Sequence, residues 1–240
     1  MPLTGGRYTE GIVRVGNTVR RPASETSPFW SRVLRHCELQ DCTVVPRYLD
    51  TDERGRDVLQ FIPGWVPLKF QLFEDWQIAE AGRLLRVFHD ATCGSDLAGE
   101  CAVVCHHDPG PNNTVFQEEK PIAFIDFDFC KPGDPLEDMA YMAWTWCISS
   151  KPSRGPLAVQ THQVRVFADA YGLDVLQRQG LMDAVLKRQQ KNIAFWLQQA
   201  EVLTCKPTDP GEIQARIQWS KCEFTFVQQN LAAFQTALVT

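Results

Sequence analysis

The residues best able to do chemistry lie in two short stretches, Cys105-His106-His107-Asp108-Pro109-Gly110-Pro111-Asn112-Asn113 and Phe124-Ile125-Asp126-Phe127-Asp128. Asp108 and Asn113 stand at opposite ends of a tight loop kept short by Pro109, Gly110 and Pro111. The chain that follows has the length to double back as a hairpin, 114–116 against 122–125, and to return Asp126 to the side of Asn113. A carboxylate, an amide oxygen and a second carboxylate then converge. Such hard oxygens suit magnesium, which keeps several waters and binds through few protein groups plus substrate phosphates. A carboxylate left off the metal can accept a proton from a substrate hydroxyl. Asp and Asn are also ordinary turn residues. The order, separation and strand–loop–hairpin context of these two stretches favour the chemical reading.

A rival reading takes Cys101, Cys105, His106 and His107 as zinc ligands beside Asp108, the makings of a zinc hydrolase. Zinc sites usually show a second ligand pair at matching spacing, and none is evident here. The nine cysteines are odd in number and scattered, which fits reduced thiols packed as small apolar residues.

The elements that must position these residues divide into two groups. Residues 11–15 and 18–21 flank Gly16-Asn17, a hairpin signal. Ser27-Pro28 starts a helix over 29–38, with Ser27 as cap. Residues 47–50 and 57–62 form further strands, and Pro63-Gly64 breaks the pattern. Beyond it, 73–91 is an amphipathic helix with Trp76, Ala79, Leu84, Val87 and Phe88 on its apolar face. Residues 102–105 form a strand, then come the loop and hairpin, and the last hundred residues are mostly helical. Asp209-Pro210-Gly211-Glu212 starts the final helix there. The fold class is α+β, with a small strand-rich lobe (1–62), a larger helical lobe (63–240) and a crevice between them.

Net charge is −5, which argues against broad nucleic-acid binding. Residues 71–130 carry 3 basic and 11 acidic side chains, so cation-dependent chemistry belongs there. No apolar run approaches the roughly 18 to 20 residues of a membrane helix, and the N-terminus shows no signal-peptide pattern. The expectation is a cytoplasmic protein without a membrane partner. The seven tryptophans are read as packing core rather than as a box for a cationic ligand.

Together the two stretches resemble the H-x-D-x-x-x-x-N loop and the I-D-x-D segment of the aminoglycoside phosphotransferase family, which has a protein-kinase-like fold. Gly133-Asp134-Pro135-Leu136-Glu137-Asp138-Met139-Ala140 is similar to that family's G-D-P-x-x-D-x-A continuation. The resemblance implies transfer of the γ-phosphoryl group of ATP or GTP to a hydroxyl of a small, amine-bearing acceptor. It makes Asp108 the catalytic base, puts magnesium on Asn113 and Asp126 with Asp128 assisting or bracing, and makes His106 and Asp138 architectural. It also sets the backbone of Phe61 and Ile62 against the edge of the base.

Two departures stand out. His107 occupies a position that is usually glycine. No lysine precedes Lys69, so the strand cation that reaches the phosphates is Arg21, with Arg20 second; arginine can hold phosphate bidentately. The phosphate-covering turn would be Gly5–Gly11. The helix over 29–38 offers only Glu38, at its end, as an acid to pair with the strand cation. The alternative to an active kinase is a catalytically weak or inactive nucleotide-binding protein of the same fold.

Overall fold

The computed structural model describes residues 11–67, 71–201 and 210–239. The Gly5–Glu10 part of the expected phosphate turn and Asp209 lie outside them. Gly16, at φ 59°, supplies the left-handed backbone that closes β1 (Val13–Val15) onto β2 (Thr18–Pro22). β4 (Arg56–Gln60) pairs with the other edge of β2, and β3 (Tyr48–Thr51) completes an antiparallel sheet of order β1-β2-β4-β3. In that register Arg21 lies opposite Asp57.

Helix α1 (Ser27–Leu39) buries Trp30, Val33, Leu34 and Cys37, a helical spacing that presses one face onto the rest of the protein. Ser27 does not cap it. Thr26 holds the cap position, and the Ser27 hydroxyl donates to Asp57 Oδ2 at 2.6 Å. A carboxylate on the neighbouring sheet is the stronger partner for that hydroxyl.

The chain leaves the sheet through Gly64, at φ 153°. A Cβ there would lie 2.3 Å from the Phe116 carbonyl oxygen, so only glycine lets the backbones touch. Trp65 and Phe116 then exchange two backbone hydrogen bonds, of 2.9 and 2.7 Å.

Helix α2 (Asp75–Thr92) buries Ile78, Ala81, Gly82, Leu85, Phe88 and His89. Its inward face is rotated from the sequence expectation, and Trp76 and Val87 are exposed. The reason is that the inward face carries two residues a hydrophobicity pattern does not count. Gly82 lets α4 (Leu157–Tyr171) approach until Phe167 would crowd any Cβ, and His89 hydrogen-bonds in the core.

β5 (Val103–Cys105) pairs with β8 (Lys131–Gly133), and β6 (Thr114–Gln117) with β7 (Lys120–Phe124), so the predicted hairpin forms. Asp134 caps α3 (Pro135–Met142) by accepting from Leu136 N. A π-turn over Ala143–Cys147 follows, then α4, α5 (Val175–Glu201), α6 (Pro210–Gln229) and α7 (Leu231–Val239). α4 packs on α2, and α5 on α3 and α6. Trp30, Trp144 and Trp146 are buried in the core. The architecture is α+β and protein-kinase-like, a small antiparallel sheet ahead of a larger helical lobe. No helix among the described residues is long and apolar enough to cross a membrane.

Candidate active site

The loop between β5 and β6 is fastened from below. Asp138, buried in the first turn of α3, accepts the backbone N–H of His106 and of His107, each at 2.6 Å, and meets His89 Nε2 at 3.1 Å. His89 Nδ1 lies 2.8 Å from the Tyr171 hydroxyl. Burial alone would raise the Asp138 pKa. The hydrogen bond and charge of His89, with His106 and His107, hold it below the usual carboxylate range instead.

The His106 ring links loop and hairpin. Its Nδ1 accepts from Asp108 N at 3.3 Å, which leaves Nε2–H to donate to Ile125 O at 3.0 Å. Ile125 N in turn donates to Asn113 O at 2.9 Å. These bonds bring Ile125, the neighbour of Asp126, to Asn113. The Asn113 amide nitrogen donates to Asp108 O and Oδ2, at 2.9 and 2.8 Å, fixing one carboxylate oxygen and leaving the other open.

His107 and Asp126 both have left-handed backbones, φ 64° and 69°, unusual for residues with a Cβ. His107 is held there by Asp138 on its N–H and by Arg188 of α5 on its carbonyl, at 3.2 Å. Burial pushes its imidazole below its ordinary pKa. The Asp126 side chain is 46% exposed. Its pKa is raised by desolvation in the crevice and by Asp128, with Arg21 opposing. It is a carboxylate short of positive charge. The oxygens of Asp126 and Asn113 are hard donors of the kind magnesium takes, with Asn113 Oδ1 also accepting from Asn112 Nδ2 at 3.2 Å.

The two strand arginines separate, because successive side chains on β2 point to opposite faces. Arg20 faces Asp52 at 3.2 Å, on the far side of the sheet. Arg21 turns to the acids that follow β7, with Nη2 2.5 Å from Asp128 Oδ2 and Nη1 3.5 Å from Asp126 Oδ1. Glu38 pairs with Arg47 instead. Phe61 and Ile62 lie on the segment leaving β4, where Phe61 N donates to Asn17 O and Arg14 covers the Phe61 ring at 3.6 Å. They are not among the acids.

The four residues of the zinc reading do not converge. Cys101 is exposed, and both His106 ring nitrogens are engaged. Among the described residues the ligand-type cluster is His89, Cys105 and Asp138. Both Asp138 oxygens already accept hydrogen bonds, and burial pushes the Cys105 thiol far up, against the thiolate zinc needs. His89, Tyr171 and Arg188 were not singled out from the sequence. They come from distant helices, and no local pattern marks them.

A short acidic loop thus lies against an acidic hairpin, with a strand arginine beside them, within a kinase-like fold. Residues 36–179 match the model of the phosphotransferase enzyme family, and the chain belongs to that family. It is 30% identical to the trifolitoxin immunity protein of Rhizobium leguminosarum bv. trifolii, over 77% of this chain and 78% of that one. Among solved structures it is similar to a choline/ethanolamine kinase family protein from Mesorhizobium loti, with TM-score 0.63, 15% identity and coverage of 98% and 92%. It is also similar to an ethanolamine kinase from Plasmodium vivax, with TM-score 0.60, 11% identity and coverage of 95% and 83%. A spectinomycin phosphotransferase bound to ADP and spectinomycin gives TM-score 0.53, 13% identity and coverage of 88% and 81%. At these identities the solved structures show the fold.

Proposed function

We propose that the chain transfers the γ-phosphoryl group of ATP or GTP to a hydroxyl of a small, amine-bearing acceptor, in the cytoplasm. The observation that supports this reading is the bonded set Asp108–Asn113–Ile125, in which the Asn113 amide orients the Asp108 carboxylate and the residue before Asp126 bonds the same asparagine. Asp108 accepts the acceptor's hydroxyl proton as its oxygen attacks the γ-phosphorus and the bond to the leaving nucleoside diphosphate breaks. Asn113 keeps Asp108 aimed, which is positioning rather than covalent work. Magnesium on Asn113 and Asp126 supplies charge neutralisation to the phosphates when bound. Arg21 supplies a forked cation where a lysine is usual, and the backbone of Phe61 and Ile62 meets the edge of the base.

The relative named for trifolitoxin immunity supports a protective role, in which the acceptor is a toxic compound inactivated by phosphorylation. The test is thermal unfolding with ATP or GTP, with and without magnesium, on wild type and Asp126→Ala. Ligand at about 100 times its Kd adds about 2.7 kcal/mol, roughly 5 to 10 °C for a chain of this size. A shift that needs magnesium and vanishes in Asp126→Ala supports the site. An acceptor screen over aminoglycosides and amino alcohols follows. Binding without turnover of any acceptor would favour the inactive nucleotide-binding alternative, and no shift with either nucleotide sinks both.

A further inference from the structure

We infer that Asp128 is a positioning residue for Arg21, so that the phosphate cation is held by an acid of the β7–β8 connection and not by one of helix α1; this rests on the phosphotransferase reading above. The Arg21 side chain is 7% exposed, and a guanidinium so enclosed requires a fixed counter-charge. Helix α1 contributes none, since its one acid, Glu38, is bound to Arg47. What α1 offers is the Trp30 ring, 5.4 Å from the guanidinium carbon.

The two acids near Arg21 are not equivalent. Asp128 meets Nη2 at 2.5 Å, a charge-assisted hydrogen bond, while Asp126 stands 3.5 Å from Nη1 and is more open to solvent. Asp128 therefore holds the arginine, and Asp126 stays available to a further cation. The planar fork makes this division possible, because its nitrogens address two carboxylates at once. A lysine ammonium is a single point charge. The pair also ties β2 to the chain between β7 and β8, so the cation's place does not depend on where α1 sits.

The experiment measures binding of ATP and of adenosine by calorimetry, in EDTA and in magnesium. The proteins are wild type, Asp128→Asn, Arg21→Met and the double variant. Asp128→Asn should weaken ATP binding by about tenfold even in EDTA, leave adenosine binding unchanged, and add nothing to Arg21→Met. A loss confined to magnesium would make Asp128 a metal ligand and overturn the inference. Independent, additive losses in the double variant, or ATP binding equal to wild type, overturn it as well while leaving the phosphotransferase reading intact. A wild type that binds neither ATP nor adenosine fails that reading and the inference with it. Asp128→Glu keeps the charge and covers a neutral variant that does not melt cooperatively. It should retain ATP binding within about threefold, and a tenfold loss there counts against the inference.

Discussion

Asp138 and Asp126 are the same side chain in opposite settings. Asp138 is fully enclosed, with two backbone N–H groups and a histidine on its carboxylate, and its pKa is driven below the ordinary 3.8. Asp126 is nearly half open, has a second carboxylate for a neighbour and an arginine 3.5 Å away that is bonded to that neighbour, and its pKa is driven above 3.8. The saturated acid holds up the loop, and the unsaturated one still seeks a cation. Burial alone does not distinguish a working carboxylate from a structural one; the count of donors already pointed at it does.

Asp108→Asn tests the working side most severely. Turnover should fall by about 10² to 10⁴ while stability changes by less than about 0.5 kcal/mol, read from acceptor phosphorylation and urea unfolding. A stability loss of several kcal/mol would move Asp108 to the structural side of the comparison. Asp138→Asn should do the reverse. It aims an amide N–H at one of the two backbone N–H groups in a dry site, and we expect a loss of about 3 kcal/mol in urea unfolding. A stable Asp138→Asn protein with normal turnover would remove its support role.

The pH dependence sharpens the contrast. For Asp138 the native pKa lies below the unfolded value, so its contribution is complete above that value and is lost as pH falls through the native one. Asp126 has the opposite sign: ionisation penalises the fold as pH rises through its raised native value. Asp126→Asn should therefore be slightly more stable than wild type near pH 7, with the gap closing toward pH 3. Asp138→Asn should be less stable at pH 7, with its gap narrowing in acid. Equal pH profiles for the two variants would break the comparison.

The smallest effect is at His107. Replacing it with glycine relieves a left-handed backbone but frees the unfolded chain, for a net gain below about 1 kcal/mol in thermal unfolding. A clear loss would mean the imidazole itself braces the loop.

Much of this was legible in the sequence because it is local. Turn residues at Gly16-Asn17 and Pro109-Gly110-Pro111 fix where the chain reverses, and Pro28 marks the first turn of α1. The spacing points to one loop holding Asp108 and Asn113 and a hairpin returning beside it; Asn113 donates to Asp108, and Ile125, next to Asp126, bonds the Asn113 carbonyl. Strand parity also put Arg20 and Arg21 on opposite faces. What the sequence left open needed the third dimension. The apolar face of α2 was misplaced because His89 is buried for a hydrogen bond to a residue far along the chain. For the counter-ion of Arg21 the sequence points to α1, the nearest helix, whereas the structure supplies Asp128, between β7 and β8. Short-range order follows from backbone geometry and propensity, which each residue carries with it. The partner of a buried charge is set by whichever distant group can desolvate beside it, and only the assembled fold decides that.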